Sequence, residues 1–307
     1  MIDFSCIIPT YKRESYVMEA IHSVLKYECQ FSVEVIIIDD DPESNLSDKL
    51  DLTKIRYFKN SKRRGPGFSR KKGFNLSRGK YIIFMDDDDF YLNSVIFKKS
   101  VHYFENDSSL SFVGFNSYIY YENNRKLEKE DKFKSNIFIT GKKYLMTFMI
   151  GVDKPTSTFT TVFDRAKLAE AIGNVQMLND TVIYLRALLK GNAFLDSDYV
   201  GAYRVHQANI TKSISSDFVL KNMDEKYKIS KLLPFGLYAK SYWLANQAWI
   251  SARYLLDSNA SKKNRELINN WFLKKNLLVI YIYIYLKMKY FFFKKLKLLL
   301  RKGKDEV

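Results

Sequence analysis

Cysteine is scarce in this sequence: its 307 residues include two, Cys6 and Cys29, and they do not form a CxxC pair. Disulfide frameworks and zinc sites both need several suitably spaced cysteines, so the composition argues against either feature. This scarcity is typical of proteins in a reducing compartment.

A long uncharged apolar run is also missing. The longest one, residues 277–286, has ten residues, whereas a membrane-spanning helix needs about 20. The opening stretch MIDFSCIIPTY lacks the basic start and the long apolar segment of a secretory signal peptide, so we expect none.

The net charge of +16 is concentrated toward the C-terminus. Residues 262–307 contain 13 Lys and Arg against 3 acidic residues, a net of +10, which leaves +6 for residues 1–261. The basic excess is therefore more informative about the location of the protein than about its catalytic activity. We expect no nucleic-acid partner.

What the sequence does contain is an alternation of apolar strands and helical segments. Strands are predicted at FSCIIPTY (stopped by Pro9), VEVIIIDDD, KIRYFKN, KYIIFM, SLSFVGFNSYIYYE, TSTFTTVFDR and AFLDSDYVGAYRVH. Helices are predicted at ESYVMEAIHSVLKY, GFSRKKGFNLS, SVIFKKSVHYF, TGKKYLMTFMIG, AKLAEAIG and NDTVIYLRALLKG, the last one capped by Asn179 and ended by Gly191. The early strands are too apolar to be half exposed, so the pattern predicts an α/β fold with a mostly parallel sheet between helices.

Two further expectations concern organisation. Residues 122–136 are polar and are expected to form a loop. From about residue 216 onward the chain is expected to be helical, which gives a catalytic domain over 1–215 and a helical C-terminal region over 216–307. In sheets of this kind ligands bind beyond the carboxyl ends of the strands.

Four consecutive aspartates, residues 86–89, follow the fourth strand. Two carboxylates about 4 Å apart repel by about 1 kcal/mol in water and by several times that near a protein surface, and a bound divalent cation would remove this cost. Carboxylate oxygens suit Mg²⁺ or Mn²⁺. In an extended segment Asp86 and Asp88 would point the same way. Asp89 has a second interpretation, as the N-cap of the helix that follows.

Five blocks in a fixed order carry a resemblance to a known family. They are IIPTYKR, VIIIDDDPES, GFSRKKGFNLSRGKYIIFMDDDD, NDTVIYLRALLKG and YRVHQANIT, and they run from residue 2 to about 211. In sequence and spacing they resemble the family-2 glycosyltransferases, whose fold is GT-A. The resemblance implies a Rossmann-like nucleotide-diphospho-sugar transferase fold.

The resemblance also implies a metal site. Asp86 and Asp88 match the D-x-D motif that binds the metal and diphosphate of a nucleotide sugar, with Asp89 as an additional ligand. Asp87 would face the donor ribose or sugar, and His206 would contact the metal or a phosphate. The implied cofactor is Mn²⁺ or Mg²⁺.

The donor implied by the resemblance is a UDP-sugar. Pro9, Thr10 and Tyr11 match the segment that lines the nucleobase and ribose. Asp39 matches the carboxylate that accepts the N3–H of uracil, although the two aspartates after it could instead cap the next turn. Lys12 stands where the family often has Asn.

Basic residues are expected around the diphosphate. Arg70 matches a residue that points toward the nucleotide, and Arg204 lies in the YRxH block. Lys212, in a segment that resembles a closing loop, could reach the diphosphate. Arg63 could neutralise phosphate, or it could belong to a solvated basic turn.

Asp180 matches the general base of the inverting members of the family. Such a base takes the proton from an acceptor hydroxyl while the oxygen attacks the anomeric carbon, so that one displacement inverts the stereochemistry. The alternative is a carboxylate stabilised by the helix N-terminus.

The tail over residues 287–302 separates, as a helix, into an apolar and a basic face. That pattern favours a helix lying in an anionic membrane surface. Packing on another subunit, as in a homo-oligomer, or on the catalytic domain remains an alternative, and IYIYIY could be a strand.

Together these observations predict an inverting, metal-dependent enzyme. It would move a sugar, with glucose as the first choice, from a UDP-sugar to a lipid-linked oligosaccharide or lipopolysaccharide-type acceptor at the cytoplasmic face of the inner membrane. The alternatives are a nucleotidyltransferase and a non-catalytic UDP-sugar-binding assembly protein.

Overall fold

The computed structural model describes residues 2–26, 31–173, 175, 177–206, 215–258 and 260–302, with side chains as far as 293. The chain divides into two compact units, Met1–Gln207 and Ala208–Val307. We call the first the sheet unit and the second the helical unit. The sequence placed this boundary at residue 215.

The first strands of the sheet unit form a parallel set, as the sequence predicts. They are β1 (Phe4–Thr10), β2 (Val33–Asp39), β3 (Ile55–Lys59) and β4 (Tyr81–Phe84), connected through α1 (Glu14–Lys26) and α2 (Pro66–Leu76). Three of them, β1, β2 and β4, are buried along their whole length, as expected of strands covered on both faces.

Pro9 does not stop β1, contrary to the prediction. It pairs with Ile38 of β2, and the strand continues to Thr10. The register of β1 with β4 ends at Ile7, so on that side of Pro9 no ladder hydrogen bond is required.

The rest of the sheet is mixed, which corrects the prediction of a mostly parallel sheet. It contains β5 (Phe90–Tyr91), β6 (Leu110–Tyr121), β7 (Lys126–Glu130), β8 (Ile137–Ile139), β9 (Thr161–Asp164) and β10 (Asn192–Val205). β6 and β10 are parallel to each other, whereas β9 lies antiparallel between β4 and β6. The order of the ten-stranded sheet is β3-β2-β1-β4-β9-β6-β10-β5, with β7 beside β6 and β8 beside β10.

β7 occupies part of the segment that was predicted as a loop. It pairs antiparallel with β6, and its side chains are mostly exposed. An exposed edge strand has no apolar face to bury, so its composition resembles that of a loop.

Four further helices belong to the sheet unit: α3 (Val95–Asn106), α4 (Gly141–Thr147), α5 (Arg165–Ile172) and α6 (Asp180–Leu188). The N-cap of α6 is confirmed, because the Asn179 side chain accepts the Val182 N–H at 3.0 Å. The helix ends at Leu188, before the predicted end at Gly191. At Gly191 a Cβ would lie 2.4 Å from the Ser109 carbonyl oxygen, so this glycine serves a close backbone approach.

The helical unit contains α7 (Ser216–Leu232), α8 (Leu237–Ser258), α9 (Lys262–Leu273) and α10 (Leu277–Lys302). The alternating stretch IYIYIY is therefore helical. One face of α10 is buried within the unit, where Tyr283 stacks on Phe272 with ring centroids 3.9 Å apart. Among the described residues, none of the helices has the length and apolar character needed to cross a membrane.

Candidate active site

The four aspartates after β4 form a turn. The Asp89 N–H donates to the Asp86 carbonyl at 3.2 Å, so the chain reverses here instead of remaining extended. The extended geometry from which Asp86 and Asp88 were expected to point the same way is therefore absent. The N-cap interpretation of Asp89 is wrong, because α3 begins at Val95 with Ser94 as its N-cap.

Two arginines pair with three carboxylates of this turn. Arg13 Nη1 lies 3.1 Å from Asp87 Oδ1 and 2.8 Å from Asp88 Oδ2. Arg70 pairs with Asp86 through Nη2. Part of the repulsion that the sequence argument assigned to a divalent cation is thus offset by protein side chains.

Arg70 joins the turn to Asp180. Its Nη1 lies 3.4 Å from Asp180 Oδ1, while its Nη2 holds Asp86. The guanidinium is buried, whereas the side chains of Asp86 and Asp180 are 30% and 31% exposed. Burial lowers the pKa of Arg70, but Asp86 and Asp180 raise it by more, so the net shift is upward and the arginine stays charged.

Asp89 faces the interior, where it is 1% exposed. Its carboxylate accepts the backbone N–H of Arg204 at 3.2 Å and the Ser157 hydroxyl at 3.3 Å. Burial, followed by the charges of Asp88 and Asp86, raises its pKa well above the usual value. This environment anchors the turn, and the role of Asp89 as a metal ligand stays a prediction.

The Arg204 side chain also holds the turn. Its Nε donates to the Asp88 carbonyl at 2.9 Å, and its terminal nitrogens pair with Glu19 at 2.5 Å and with Glu122 at 3.4 Å. These contacts give Arg204 a positioning role, and its predicted contact with the nucleotide sugar stays a prediction.

The buried carboxylates of the turn are hard to ionise. Burial, with the charge of Asp88 second, raises the pKa of Asp87 to about 7, although Arg13 and the Thr10 hydroxyl oppose the shift. Burial also raises the pKa of Asp86, against the effect of Arg70. A further positive charge at the turn would therefore be stabilising.

Asp88 and His206 are the two predicted metal ligands that meet. Asp88 Oδ2 and His206 Nε2 lie 2.9 Å apart and form a hydrogen bond. This distance is also near the separation of about 3 Å expected for two ligands at right angles around an ion with bonds of about 2.1 Å. Within the described ranges, however, no group of three or more His, Cys, Asp or Glu side chains is arranged to hold a metal ion. The pair fits an ion completed by substrate phosphates, and the predicted set of four ligands is not assembled.

A cleft of about 260 Å³ opens at the carboxyl ends of β1 and β2, close to the turn. It is lined by Thr10, Lys12, Arg13, Glu14, Asp39, Asp41, Glu43, Ser44, Asn45 and Leu46. Asp39 Oδ1 accepts the Asp41 N–H, and Oδ2 accepts the Tyr57 hydroxyl, both at 2.9 Å. The cleft therefore has a fixed carboxylate in its wall, at the place where the resemblance puts uracil.

Residues of the segment predicted to line the nucleobase and ribose differ in their exposure to solvent. Pro9 is buried within β1, whereas Tyr11 follows the strand and its ring carries the Arg63 guanidinium 4.2 Å from its centroid. Asp40 accepts the backbone N–H groups of Arg64 at 2.8 Å and Gly65 at 2.6 Å, so it shapes the loop before α2.

Sequence reasoning missed several residues at the site. Arg13, Glu19, Glu122 and Ser157 reach the turn or Arg204 from distant parts of the chain, and Lys154 lies where its charge interacts with that of Asp180. Arg13 lies within the quoted PTYKR block, so its position next to a strand end was a usable signal. The others gave no local signal. Lys212 lies outside the described residues.

Comparisons with known proteins agree with this geometry. The model of the family described as Glycosyl transferase family 2 matches residues 5–169. An uncharacterized glycosyltransferase of Rickettsia felis is 31% identical over 138 residues, which are 43% of this chain and 21% of that protein, so the match spans about a fifth of that relative. TuaG of Bacillus subtilis, named as a teichuronic acid biosynthesis glycosyltransferase, is 25% identical over 258 residues, 77% of this chain and 94% of TuaG.

The fold has a counterpart among solved structures. TarS of Staphylococcus aureus, crystallised with UDP-GlcNAc, superposes with a TM-score of 0.67 at 17% identity, over 88% of this chain and 80% of that one. The mixed α/β sheet described above is accordingly a GT-A fold. Because the family model covers more than half of the sequence, this chain belongs to glycosyl transferase family 2.

Proposed function

We propose that this protein is an inverting glycosyltransferase that moves a sugar from a UDP-sugar to a hydroxyl group of a glycan acceptor. The observation that carries the proposal is the bridge made by Arg70, which holds Asp86 of the turn and Asp180 of α6 on one guanidinium. A donor-binding carboxylate and a base are thereby fixed at the same sheet edge.

Asp180 is the base in this proposal. Its side chain is 31% exposed, and Arg70 engages Oδ1, so the carboxylate is oriented and open to an acceptor hydroxyl. It takes the hydroxyl proton as the acceptor oxygen attacks the anomeric carbon opposite the leaving diphosphate. Holding both substrates in line supplies much of the rate.

The donor is proposed to be a UDP-sugar. The cleft with Asp39 in its wall supports this, as does the UDP-GlcNAc complex of TarS, which shares the fold. A divalent ion, Mn²⁺ or Mg²⁺, held by Asp88 and His206 would neutralise charge on the departing diphosphate.

The acceptor is proposed to be lipid-linked, with the enzyme peripheral at the cytoplasmic face of the inner membrane. TuaG is named for teichuronic acid biosynthesis and TarS for poly(ribitol-phosphate), so both names concern glycosyltransferases of polymer synthesis or modification. A narrower hypothesis is the branching glucosyltransferase of bacterial protein N-glycosylation, for which the transferred sugar would be glucose.

The test is a screen of UDP-sugars for released UDP with Mn²⁺ or Mg²⁺, on wild type and Asp180→Asn. Loss of the base is expected to lower turnover by about 10²- to 10⁴-fold, with UDP affinity unchanged because the proposal assigns Asp180 to the acceptor hydroxyl and Asp39 to the nucleotide. Asp217→Asn is the matched control, since Asp217 lies in the first turn of α7, as Asp180 does in α6, but belongs to the helical unit. Full turnover by Asp180→Asn would refute the assignment.

A further inference from the structure

Arg13 is a residue of the site to which the proposed mechanism gives no task. It lies between β1 and α1, and its carbonyl accepts the Val17 N–H at 3.0 Å, at the start of the helix. Its side chain is 19% exposed and lines the cleft that also contains Thr10 and Asp39. The guanidinium therefore stands between the acidic turn and the proposed nucleotide site.

One nitrogen of Arg13 serves two carboxylates. Nη1 lies 3.1 Å from Asp87 Oδ1 and 2.8 Å from Asp88 Oδ2. The same Asp88 Oδ2 lies 2.9 Å from His206 Nε2, in the pair that fits a divalent ion. A divalent ion that bound this oxygen would repel the guanidinium at close range, so binding of the ion weakens the pairing of Arg13 with Asp88.

The displaced guanidinium has a suitable partner in the donor. Arginine binds phosphate oxygens through two parallel N–H donors, and this pairing is stronger than a neutral hydrogen bond. Because Arg13 already lines the cleft, it can meet a diphosphate there without leaving the site. The two negative groups that lose Arg13, Asp87 and Asp88, are then neutralised by the ion.

On the basis of the proposed UDP-sugar transferase function, we propose that Arg13 exchanges partners during donor binding. It pairs with Asp87 and Asp88 in the donor-free protein, and it contacts the diphosphate when nucleotide and cation bind together. The cation alone then binds weakly, because it must displace Arg13 without giving it a new partner. Nucleotide and cation each strengthen binding of the other by the same factor.

The exchange predicts opposite effects from one substitution. Arg13→Gln removes the competitor of the cation, so the full-length variant should bind Mn²⁺ alone about tenfold more tightly than wild type. It also removes a phosphate ligand, so its affinity for UDP at saturating Mn²⁺ should fall about tenfold. A merely structural role for Arg13 would weaken both. Titration calorimetry measures UDP binding, and electron paramagnetic resonance of free Mn²⁺ measures the metal.

Two variants control the experiment. Arg63→Gln removes an equal charge from a guanidinium that stacks on Tyr11, and it should leave affinity for Mn²⁺ alone within about twofold of wild type. Arg13→Lys keeps a positive charge beside the turn, and it tests the exchange of partners if Arg13→Gln does not fold. It should bind Mn²⁺ alone as wild type does and UDP at least about threefold more weakly, because an ammonium cannot bind phosphate through a fork.

The outcomes separate this inference from the proposed function. If Arg13→Gln binds Mn²⁺ alone no more tightly than wild type, or if Arg13→Lys binds UDP as wild type does, the exchange is wrong while the UDP-sugar donor stands. If wild type binds no UDP in the presence of Mn²⁺, the proposed donor fails and the exchange fails with it.

Discussion

At the residue scale, Lys12 shows how the loop after β1 is strained. Its φ is 55°, in the left-handed region that asparagine and glycine tolerate better than lysine does. For most side chains this conformation costs about 1 kcal/mol or more. The strain gives a physical reason for the asparagine that the family pattern often has at this position.

Lys12→Asn should therefore stabilise the protein by up to about 1 kcal/mol, measured as a rise in the thermal midpoint followed by circular dichroism. Lys62→Asn is the matched control: it makes the same exchange at an exposed residue of a neighbouring loop whose φ is not positive. A midpoint for Lys12→Asn that does not exceed that of the control would contradict the strain argument.

The residue scale is also where prediction from sequence was most uneven. Asp39, Asp86 and Asp180 could be proposed as site residues because each lies in a contiguous block at a strand end or helix start. The contacts of Arg13 and Arg204 with the turn could not be predicted, although both residues lie in matched blocks, because their partners are 74 and 115 positions away. Such pairings depend on how the strands pack, which no local sequence pattern encodes. The sequence argument therefore assigned the whole charge of the aspartate turn to a divalent cation, although Arg13 and Arg70 offset part of it.

At the element scale, the contact of α2 with β1 sets the position of Arg70. Gly73 faces the sheet, and a Cβ there would lie 2.3 Å from Ile7 Cγ2. Isoleucine in a buried strand is stiff at its β-carbon, so it cannot yield to the added atom. The helix can lie this close to the strand only with glycine at this position.

Gly73→Ala should accordingly destabilise the protein by about 1–3 kcal/mol through overpacking, despite the higher helix propensity of alanine. Asn75→Ala, at an exposed position of the same helix, should be neutral or slightly stabilising. Urea unfolding of the two variants followed by circular dichroism makes the comparison. Equal stability of both would show that α2 can move away from β1, and Arg70 would then not be fixed by it.

The elements themselves were more predictable than their pairing. The spacing of apolar residues and the helix caps predicted α1, α6 and the parallel strands, because these signals are local in the sequence. The antiparallel insertion of β9 between β4 and β6 and the exposed hairpin strand β7 were not found. Sheet order is decided by long-range contacts, and an edge strand without an apolar face has no periodic signal.

Lys226 gives the helical unit a dependence on pH. It is 1% exposed in α7 and donates to the Gln247 carbonyl and the Ser251 hydroxyl of α8, both at 2.7 Å. Burial lowers its pKa from 10.5 to about 7. Between these two values the unfolded chain binds a proton that the folded unit does not, so stability rises with pH across that window. Below about pH 7 both states are protonated and the full cost of the buried charge is present.

The difference in unfolding free energy between wild type and Lys226→Met should therefore change between pH 7 and pH 9 by up to about 1.4 kcal/mol per unit, with wild type gaining as pH rises. All three tryptophans lie in α8 and α9, so their fluorescence reports this unit within the intact chain. Lys228→Met, at an exposed lysine of the same helix, is the control. A constant difference across this range would mean that Lys226 stays protonated when folded.

At the scale of the whole molecule, apolar surface and basic charge occur on the same helix. The described part of α10 buries one side and exposes the other, where Leu277, Tyr281, Tyr285, Met288 and Phe292 are each more than half exposed. Their spacing of three or four residues makes a continuous stripe, and the basic excess of the sequence lies in the same region. The predicted faces beyond residue 293 lie outside the described side chains. This combination supports the proposed contact with an anionic membrane surface.

Binding of the full-length protein to anionic vesicles should therefore weaken as the salt concentration rises and when apolar side chains of the α10 stripe are replaced. Each basic residue near such a surface contributes about 1 kcal/mol, and the attraction is screened beyond roughly 10 Å at 0.1 M salt. Met288→Glu with Phe292→Glu should lower vesicle binding at least about tenfold in a co-sedimentation assay, because two exposed apolar side chains are replaced by charges that anionic lipids repel. Leu52→Glu, at an exposed apolar residue of the sheet unit, should have little effect. Equal vesicle binding by the double variant and this control would show that the stripe does not bind the membrane. If the wild-type protein then forms a dimer that the double variant disrupts, the stripe contacts a second copy of the chain.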